Sequence, residues 1–316
     1  MHFDVFNGDA DGLCAIHQLR LATPREATLV TGVKRDIALL ERVQAGAGAL
    51  IRVCDISLDR NRPALLRLLA AGAQVSYFDH HFAGEIPEHP GLHARIDLAP
   101  EVCSSLLVDR ELGGRFRAWA VTAAFGDNLH AAAEAAARPL DLDAPALATL
   151  RSLGESLNYN SYGLGEADLR IHPTALLARM APFADPLAFA AEEPIVAALV
   201  EGMREDLARA RAVARIDVGH AASLTILPDA AWARRVSGIF GNELARAEPA
   251  RGHAVAATLP DGTLRLSVRA PLQRRTGAGA LCRRFPTGGG REAAGGVDHL
   301  PVDALDAFLR ALGEAW

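Results

Sequence analysis

The first eighty residues alternate short apolar runs with helix-period segments, and this alternation constrains the fold more than any other feature of the chain. "HFDVFN" is followed by "LCAIHQLRLA", "ATLVTG" by "IALLERVQ" and "ALIRVCDIS" by "RPALLRLLAAG", and the series ends on "QVSYFD". Strands separated by helices are joined by crossovers, so the pattern predicts βαβ units on a parallel sheet. The strand runs are apolar nearly throughout, as expected when helices cover both faces. From about residue 100 the pattern turns helical, punctuated by Pro173, Pro182, Pro186 and Pro194. A long helix, "PIVAALVEGMREDLARARAVARI", then leads into a second α/β unit. That unit holds "AASLTILP", the helical "SGIFGNELARA", the pair "HAVAATLP" and "TLRLSVRA" around an Asp-Gly turn, and a closing helix.

At 316 residues the chain exceeds the usual size of one domain. The expected fold class is α/β: a parallel-sheet domain over 1–185, a helical linker over 186–216 and a smaller α/β domain over 217–316. With 22% charged residues and a net charge of −5, the composition is that of an ordinary globular protein and carries no global nucleic-acid signature. Locally the balance differs. From Arg251 to Arg291 there are eight arginines, and Asp261 is the single acid among them. Lys34 is the only lysine, and the preference for arginine and alanine reads as the composition of a GC-rich genome, so arginine abundance alone is discounted. Cys14, Cys54, Cys103 and Cys282 show no Cys-x-x-Cys spacing and read as small buried hydrophobes. The chain opens on a strand pattern rather than a leader, and no apolar run reaches the ~18 residues of a membrane span. The expected setting is a reducing cytoplasm with no membrane partner.

In an open parallel sheet, functional groups gather outside the carboxyl ends of the strands. Asp9 and Asp11 of "FNGDADGLCA" follow the first strand, Asp55 ends "ALIRVCD", and Asp79, His80 and His81 end "QVSYFDHH". Any one aspartate at such a place is commonly a helix cap or an Asx-turn. Their coincidence is different, because several carboxylates crowded into one crevice repel strongly unless a cation sits among them. Oxygen-rich ligands with one or two imidazoles favour Mn²⁺ or Mg²⁺ over zinc. A shared carboxylate such as Asp55 is placed to hold two ions roughly 3.5–4 Å apart, with water between them as the nucleophile.

In this order, "GDADG", the lone aspartate of "VCDIS", "FDHH" and "AAFGDN" resemble the four motifs of the DHH phosphoesterase family. The resemblance covers the first half of the chain and adds Asp127 of "FGDN". It implies that Asp9 binds one ion, that Asp11, His80 and Asp127 bind the other, and that Asp55 bridges them. It further implies that His81 faces the scissile phosphate, while Asp79 orients a histidine. Asn7 departs from the pattern, since relatives often place aspartate there and other branches put a histidine where this chain has Val5. As a neutral ligand Asn7 would hold its ion loosely, and Asn7→Asp is expected to tighten it. Gly8 and Gly12 are expected to give the turn its conformational freedom.

Near the end, "FPTGGGREAAGG" lies beside the arginine cluster and ahead of the last helix, where glycines let backbone N–H groups approach an anion. Together with "LRLSVRA" it resembles the DHH-associated substrate domain. Gly288, Gly289, Gly290, Ala294 and Gly296 fit that signature, as do Ser267 and Arg269, whereas Arg291 stands where the family usually has histidine. An arginine there can bind a terminal phosphate bidentately. Tyr159, Tyr162 and His172, with Asn158 and Asn160, form a further candidate for stacking and pairing a base.

By size and ending the chain resembles the nanoRNase and phosphoadenosine-phosphatase group; its second half is expected to separate it from the manganese pyrophosphatase and exopolyphosphatase branches, and the extra domains of RecJ-type exonucleases are not expected. The implied function is a two-metal phosphodiesterase that releases mononucleotides from short oligonucleotides or splits linear dinucleotides, with the substrate's end held between the domains. The alternatives are a phosphomonoesterase acting on 3′,5′-bisphosphate nucleotides and a nucleotide-binding protein with reduced catalysis. The partner is thus a short nucleic acid or a nucleotide. A homodimer is a further expectation, since dimers are common among soluble proteins.

Overall fold

The computed structural model describes all residues, 1–316, and divides into two compact units, Met1–Glu201 and Gly202–Trp316. The first unit is built on five strands, β1 His2–Phe6, β2 Thr28–Val30, β3 Leu50–Cys54, β4 Gln74–Asp79 and β5 Leu92–Ile96, in the order β2-β1-β3-β4-β5. Every pairing is parallel. β1 and β3 are buried along almost their whole length, and the charges they carry, Asp4 and Arg52, lie opposite one another in the sheet, Asp4 paired with Arg20 at 2.6 Å. One layer of core is formed by the helix Ala10–Ala22 against the helices Ser104–Glu111, Arg117–Gly126 and Ala144–Asn160, around Phe6, Leu13, Trp119 and Leu157. On the other face the helix Leu58–Ala70 and the short 3₁₀ turn Leu39–Arg42 pack on Val5, Ile51, Val53 and Tyr77.

Several local features differ from these expectations. "IALLERVQ" forms only that 3₁₀ turn, because Asn61 binds into it, its Oδ1 accepting from the Leu40 N–H at 3.0 Å. β5 adds a strand the apolar pattern did not show, because its alternating residues are only half buried. The long helix begins at Pro194 as expected but stops at Arg211, a separate short helix, Pro186–Glu192, precedes it, and the residues beyond turn into a strand, β6 Arg215–Val218. Of the stretch expected to link the domains, Phe189, Val196 and Leu199 belong to the first unit's core. Gly8 and Gly12 do not adopt left-handed backbone. They are needed for close approach: a Cβ on Gly8 would meet the Gly32 carbonyl at 2.1 Å, and one on Gly12 the Asn7 carbonyl at 2.1 Å.

The second unit is a six-stranded sheet of β6, β7 Ala222–Leu227, β8 Gly252–Thr258, β9 Leu264–Arg269, β10 Gly288–Gly290 and β11 Ala294–Leu300, ordered β10-β11-β9-β8-β7-β6. Only β7 and β8 are parallel, and the helix Ala231–Ala247 lies between them in sequence, a single βαβ step. The β8–β9 hairpin closes on Asp261 and Gly262, the glycine at φ +82°, and Asp261 accepts from the Thr263 N–H at 2.9 Å. The closing helix Leu305–Ala315 buries Phe308, Ala311 and Leu312 in this unit's core. All four cysteines are buried and unbridged. No helix is long and apolar enough to cross a membrane.

Within the first unit, His17 is buried on the helix Ala10–Ala22, its Nε2 2.9 Å from the Phe183 carbonyl and its ring edge-on to Trp119 at 4.7 Å. Burial pulls its pKa from 6.5 down to about 4, against the pull of the Phe183 carbonyl, with Arg20 adding to the fall. The unfolded chain therefore takes up this proton first, so the contribution is complete above pH 6.5 and is lost as pH falls through 4. The loss reaches roughly 3 kcal/mol. His17→Gln keeps a donor for Phe183 and removes the titration. Urea unfolding between pH 7 and pH 4.5 should show a shallower decline for this variant, and identical slopes would refute the assignment.

Candidate metal centre

The strand order reverses about β1, and Asp9 and Asp11 lie just beyond β1 while Asp55 lies just beyond β3, at the point where such sheets open a crevice. Asp9 caps the helix Ala10–Ala22, its Oδ1 accepting from the N–H groups of Asp11 at 3.1 Å and Gly12 at 3.0 Å. Asp11, in the first turn, accepts from the backbone N–H of Ser104 and of Ser105, both at 2.7 Å, so the start of the helix Ser104–Glu111 fixes its carboxylate. Asp55 sits in left-handed backbone at φ +61°, a conformation costly for a residue with a side chain and typical of functional positions. Its Oδ1 accepts from the Ser104 hydroxyl at 3.1 Å.

His80 is set by a hydrogen bond of Nδ1 to the Val102 carbonyl at 2.7 Å, which leaves Nε2 pointing at the carboxylates. Nε2 lies 3.4 Å from Asp55 Oδ1 and 3.5 Å from Asp127 Oδ2. The ligand atoms of Asp11, His80 and Asp127 all lie within 4.8 Å of one another, as do those of Asp55, His80 and His81. Such spacings suit donors placed roughly 2.1 Å from one divalent ion. His81 Nδ1 is 2.8 Å from Asp79 Oδ1, which turns the ring while leaving its side chain 40% exposed.

The electrostatics of this centre are those of crowded acids. Asp55 is held well above the ordinary carboxylate range by burial first and then by Asp9, Asp11 and Asp127. Asp11 is raised by burial and by Asp127. Asp9 goes the other way, to about 2: burial would raise it, but Lys34 overrides that. His81 is raised, since Asp79 outweighs the effect of burial. The donor set therefore fits a divalent cation, which would relieve the repulsion that the protein alone leaves in place.

Sequence reasoning missed Lys34. It lies in the turn after β2, and its Nζ forms an ion pair with Asp9 Oδ2, lies 3.3 Å from Asp127 Oδ1 and donates to Asn158 Oδ1 at 3.0 Å. The available signal was its being the one lysine in the chain, placed after a strand at the edge where the acids gather. Ser104, Ser105 and Val102 were also missed, because most of what they contribute is backbone N–H and C=O.

Several expected site residues stand elsewhere. Asn7 braces the turn at both ends of its amide: its Oδ1 accepts from the Asp9 N–H at 3.2 Å and its Nδ2 donates to the Lys34 carbonyl at 3.1 Å. Tyr159 is fully buried and its hydroxyl accepts from Arg170 Nε at 3.0 Å, which removes it as a stacking platform. His172 caps the helix Pro173–Met180 through the Thr174 N–H, with Nε2 3.1 Å from Glu166. Tyr162 is half-buried, its ring 5.7 Å from Lys34 Nζ.

In the second unit Ser267 and Arg269 do share a face of β9, but Arg269 donates inward, to Asn242 Oδ1, to Ser267 Oγ at 3.0 Å and to the Gly238 carbonyl at 3.2 Å. Gly288, Gly289 and Gly290 pair with Val297, Gly296 and Gly295, so the glycine run is an edge strand and not the mouth of a helix. Arg291 is exposed in the turn that follows, its N–H bound to the Ala294 carbonyl at 2.8 Å.

No family model and no curated protein sequence matches the chain. Among solved structures, exonuclease RecJ bound to manganese aligns with a TM-score of 0.61 at 19% identity, over 99% of this chain and 89% of that one. The pGpG-specific phosphodiesterase PggH from Vibrio cholerae aligns at 0.54 and 16%, over 99% and 98% of the two chains. An exopolyphosphatase-related protein from Bacteroides fragilis aligns at 0.54 and 13%, over 99% and 91%. The chain shares the α/β fold of these proteins, and the DHH resemblance read from its motifs is matched at the level of the fold. The second half does not set the chain apart in fold from the exopolyphosphatase-related protein, which aligns over 99% of the whole chain.

Proposed function

We propose that the chain is a metal-dependent phosphodiesterase that cleaves short oligonucleotides or linear dinucleotides to mononucleotides. The observation that carries this reading is the convergence of Asp11, Asp55, His80 and Asp127 on one edge of the sheet, with His81 turned toward the same place by Asp79. A divalent ion held there, Mn²⁺ in preference to Mg²⁺, would polarise a phosphoryl oxygen and acidify water. Around it the protein's own groups have separate tasks. Val102 and Ser104 hold His80 and Asp55 in place. His81, part-exposed, passes a proton to the leaving oxygen or stabilises charge developing there. The segment Gly288–Arg291 with Ser267 is assigned to the phosphates of the substrate. A manganese-bound exonuclease and a dinucleotide phosphodiesterase of the same fold support the choice of metal and substrate class.

One observation favours a second reading: the Lys34 ammonium already offsets part of the acidic charge, as it would in a nucleotide-binding protein with weak catalysis. A single assay separates these readings and the phosphomonoesterase alternative. Short oligonucleotides, linear dinucleotides and 3′,5′-bisphosphate nucleotides are presented side by side with Mn²⁺, with Mg²⁺ and with chelator. Phosphodiester cleavage should occur with Mn²⁺, vanish in chelator and return on adding the ion back. Nucleotide binding with no hydrolysis of any substrate at saturating metal would end the proposal.

A further inference from the structure

We infer that the Lys34 ammonium takes the place of one of the two ions expected at this edge, so that the protein works with a single divalent ion held at His80 with the carboxylates beside it. The inference rests on the metal-dependent reading above and narrows it.

Lys34 is held where a cation would be. Its backbone is pinned on both sides, the N–H to the Ser161 carbonyl at 2.9 Å and the carbonyl to the Asn7 amide at 3.1 Å. An ammonium has three donors and no acceptor, and three oxygens from three separate segments meet it: Asp9 Oδ2, Asp127 Oδ1 at 3.3 Å and Asn158 Oδ1 at 3.0 Å. Asp9 is then fully engaged, one oxygen on the lysine and the other on the helix N–H groups. It is absent from both groups of side chains close enough to share an ion, although the motif resemblance assigned it to one. Asp127 divides itself, with Oδ1 toward Lys34 and Oδ2 toward His80, so one carboxylate bridges a fixed cation and an exchangeable one.

Residue choice points the same way. Of 33 basic residues this one alone is lysine, so a compositional pressure toward arginine has been resisted here. A compact point charge fits among three oxygens, whereas a planar guanidinium presents its donors in a fork. Four carboxylates facing one divalent ion and one ammonium leave the centre a single positive charge short of neutrality, and a second divalent ion would overshoot it.

Purified full-length protein is saturated with Mn²⁺, freed of unbound ion, and assayed for metal content and by electron paramagnetic resonance. One ion per chain with the spectrum of an isolated Mn²⁺ is expected. Lys34→Ala opens the Asp9 and Asp127 oxygens and is expected to bind two ions per chain with a spin-coupled spectrum; Lys34→Gln serves where the alanine variant fails to fold. Two coupled ions in the unaltered protein would overturn the inference and leave metal-dependent hydrolysis standing. So would a folded Lys34 variant that still binds only one. No ion bound to the unaltered protein would overturn the inference and the function it rests on together.

Discussion

Asp55→Asn is expected to abolish metal-dependent phosphodiester cleavage, by at least about 10³-fold, while making the metal-free protein more stable. The first effect follows from removing a charged ligand beside His80: a 10³-fold loss is ~4 kcal/mol of transition-state stabilisation, within what one metal-held phosphoryl oxygen supplies. The second follows from the crowding of Asp55 against Asp9, Asp11 and Asp127 in a buried setting. A neutral amide of the same shape keeps the Ser104 contact, tolerates the left-handed backbone as asparagine commonly does, and relieves the repulsion. With ~1 kcal/mol recovered, the melting temperature in chelator should rise by roughly 2–4 °C. Adding Mn²⁺ should raise the melting temperature of the parent much more than that of the variant. Undiminished turnover in Asp55→Asn would refute the site. A lower melting temperature in chelator would instead show that the carboxylate is structural.

How much of this was legible beforehand depends on where the information resides. The parallel sheet was readable because strands buried on both faces must be apolar throughout, and the alternation with helices leaves few topologies. The acids were readable because strand ends are predictable and the sheet brings its carboxyl edge together. What escaped had no side-chain pattern of its own. β5, with its alternating half-buried residues, resembles a loop, and β6 continues a run of arginines and alanines that scans as helix. The fixing of His80 by a carbonyl and of Asp11 by two N–H groups leaves no trace in residue identity. Tyr159 was misplaced for the opposite reason: a polar group that can serve a ligand serves the fold equally well when a partner such as Arg170 is near. Lys34 itself was visible as an oddity of composition, and only the fold shows that it reaches the acids.

His81 offers the sharpest separation between holding a metal and handling a substrate. Its Nδ1 is engaged by Asp79, its ring packs edge-on to His80 at 4.4 Å, and its side chain is the most exposed of the group at 40%. It also lies within reach of Asp55, so both roles are geometrically open. If it meets the substrate, His81→Ala should lower kcat by roughly 10²–10⁴-fold with metal content unchanged. Asp79→Asn should act through the imidazole: an amide cannot hold the ring's proton affinity up as the carboxylate does, so the alkaline limb of the rate profile, where the proton donor is lost, moves to lower pH with a smaller loss of kcat. A ligand role predicts a different pair of results, with His81→Ala losing its ion and excess Mn²⁺ restoring its rate. Rescue by metal would therefore move His81 from the substrate to the ion, and a pH profile unchanged in Asp79→Asn would remove the orienting role of Asp79.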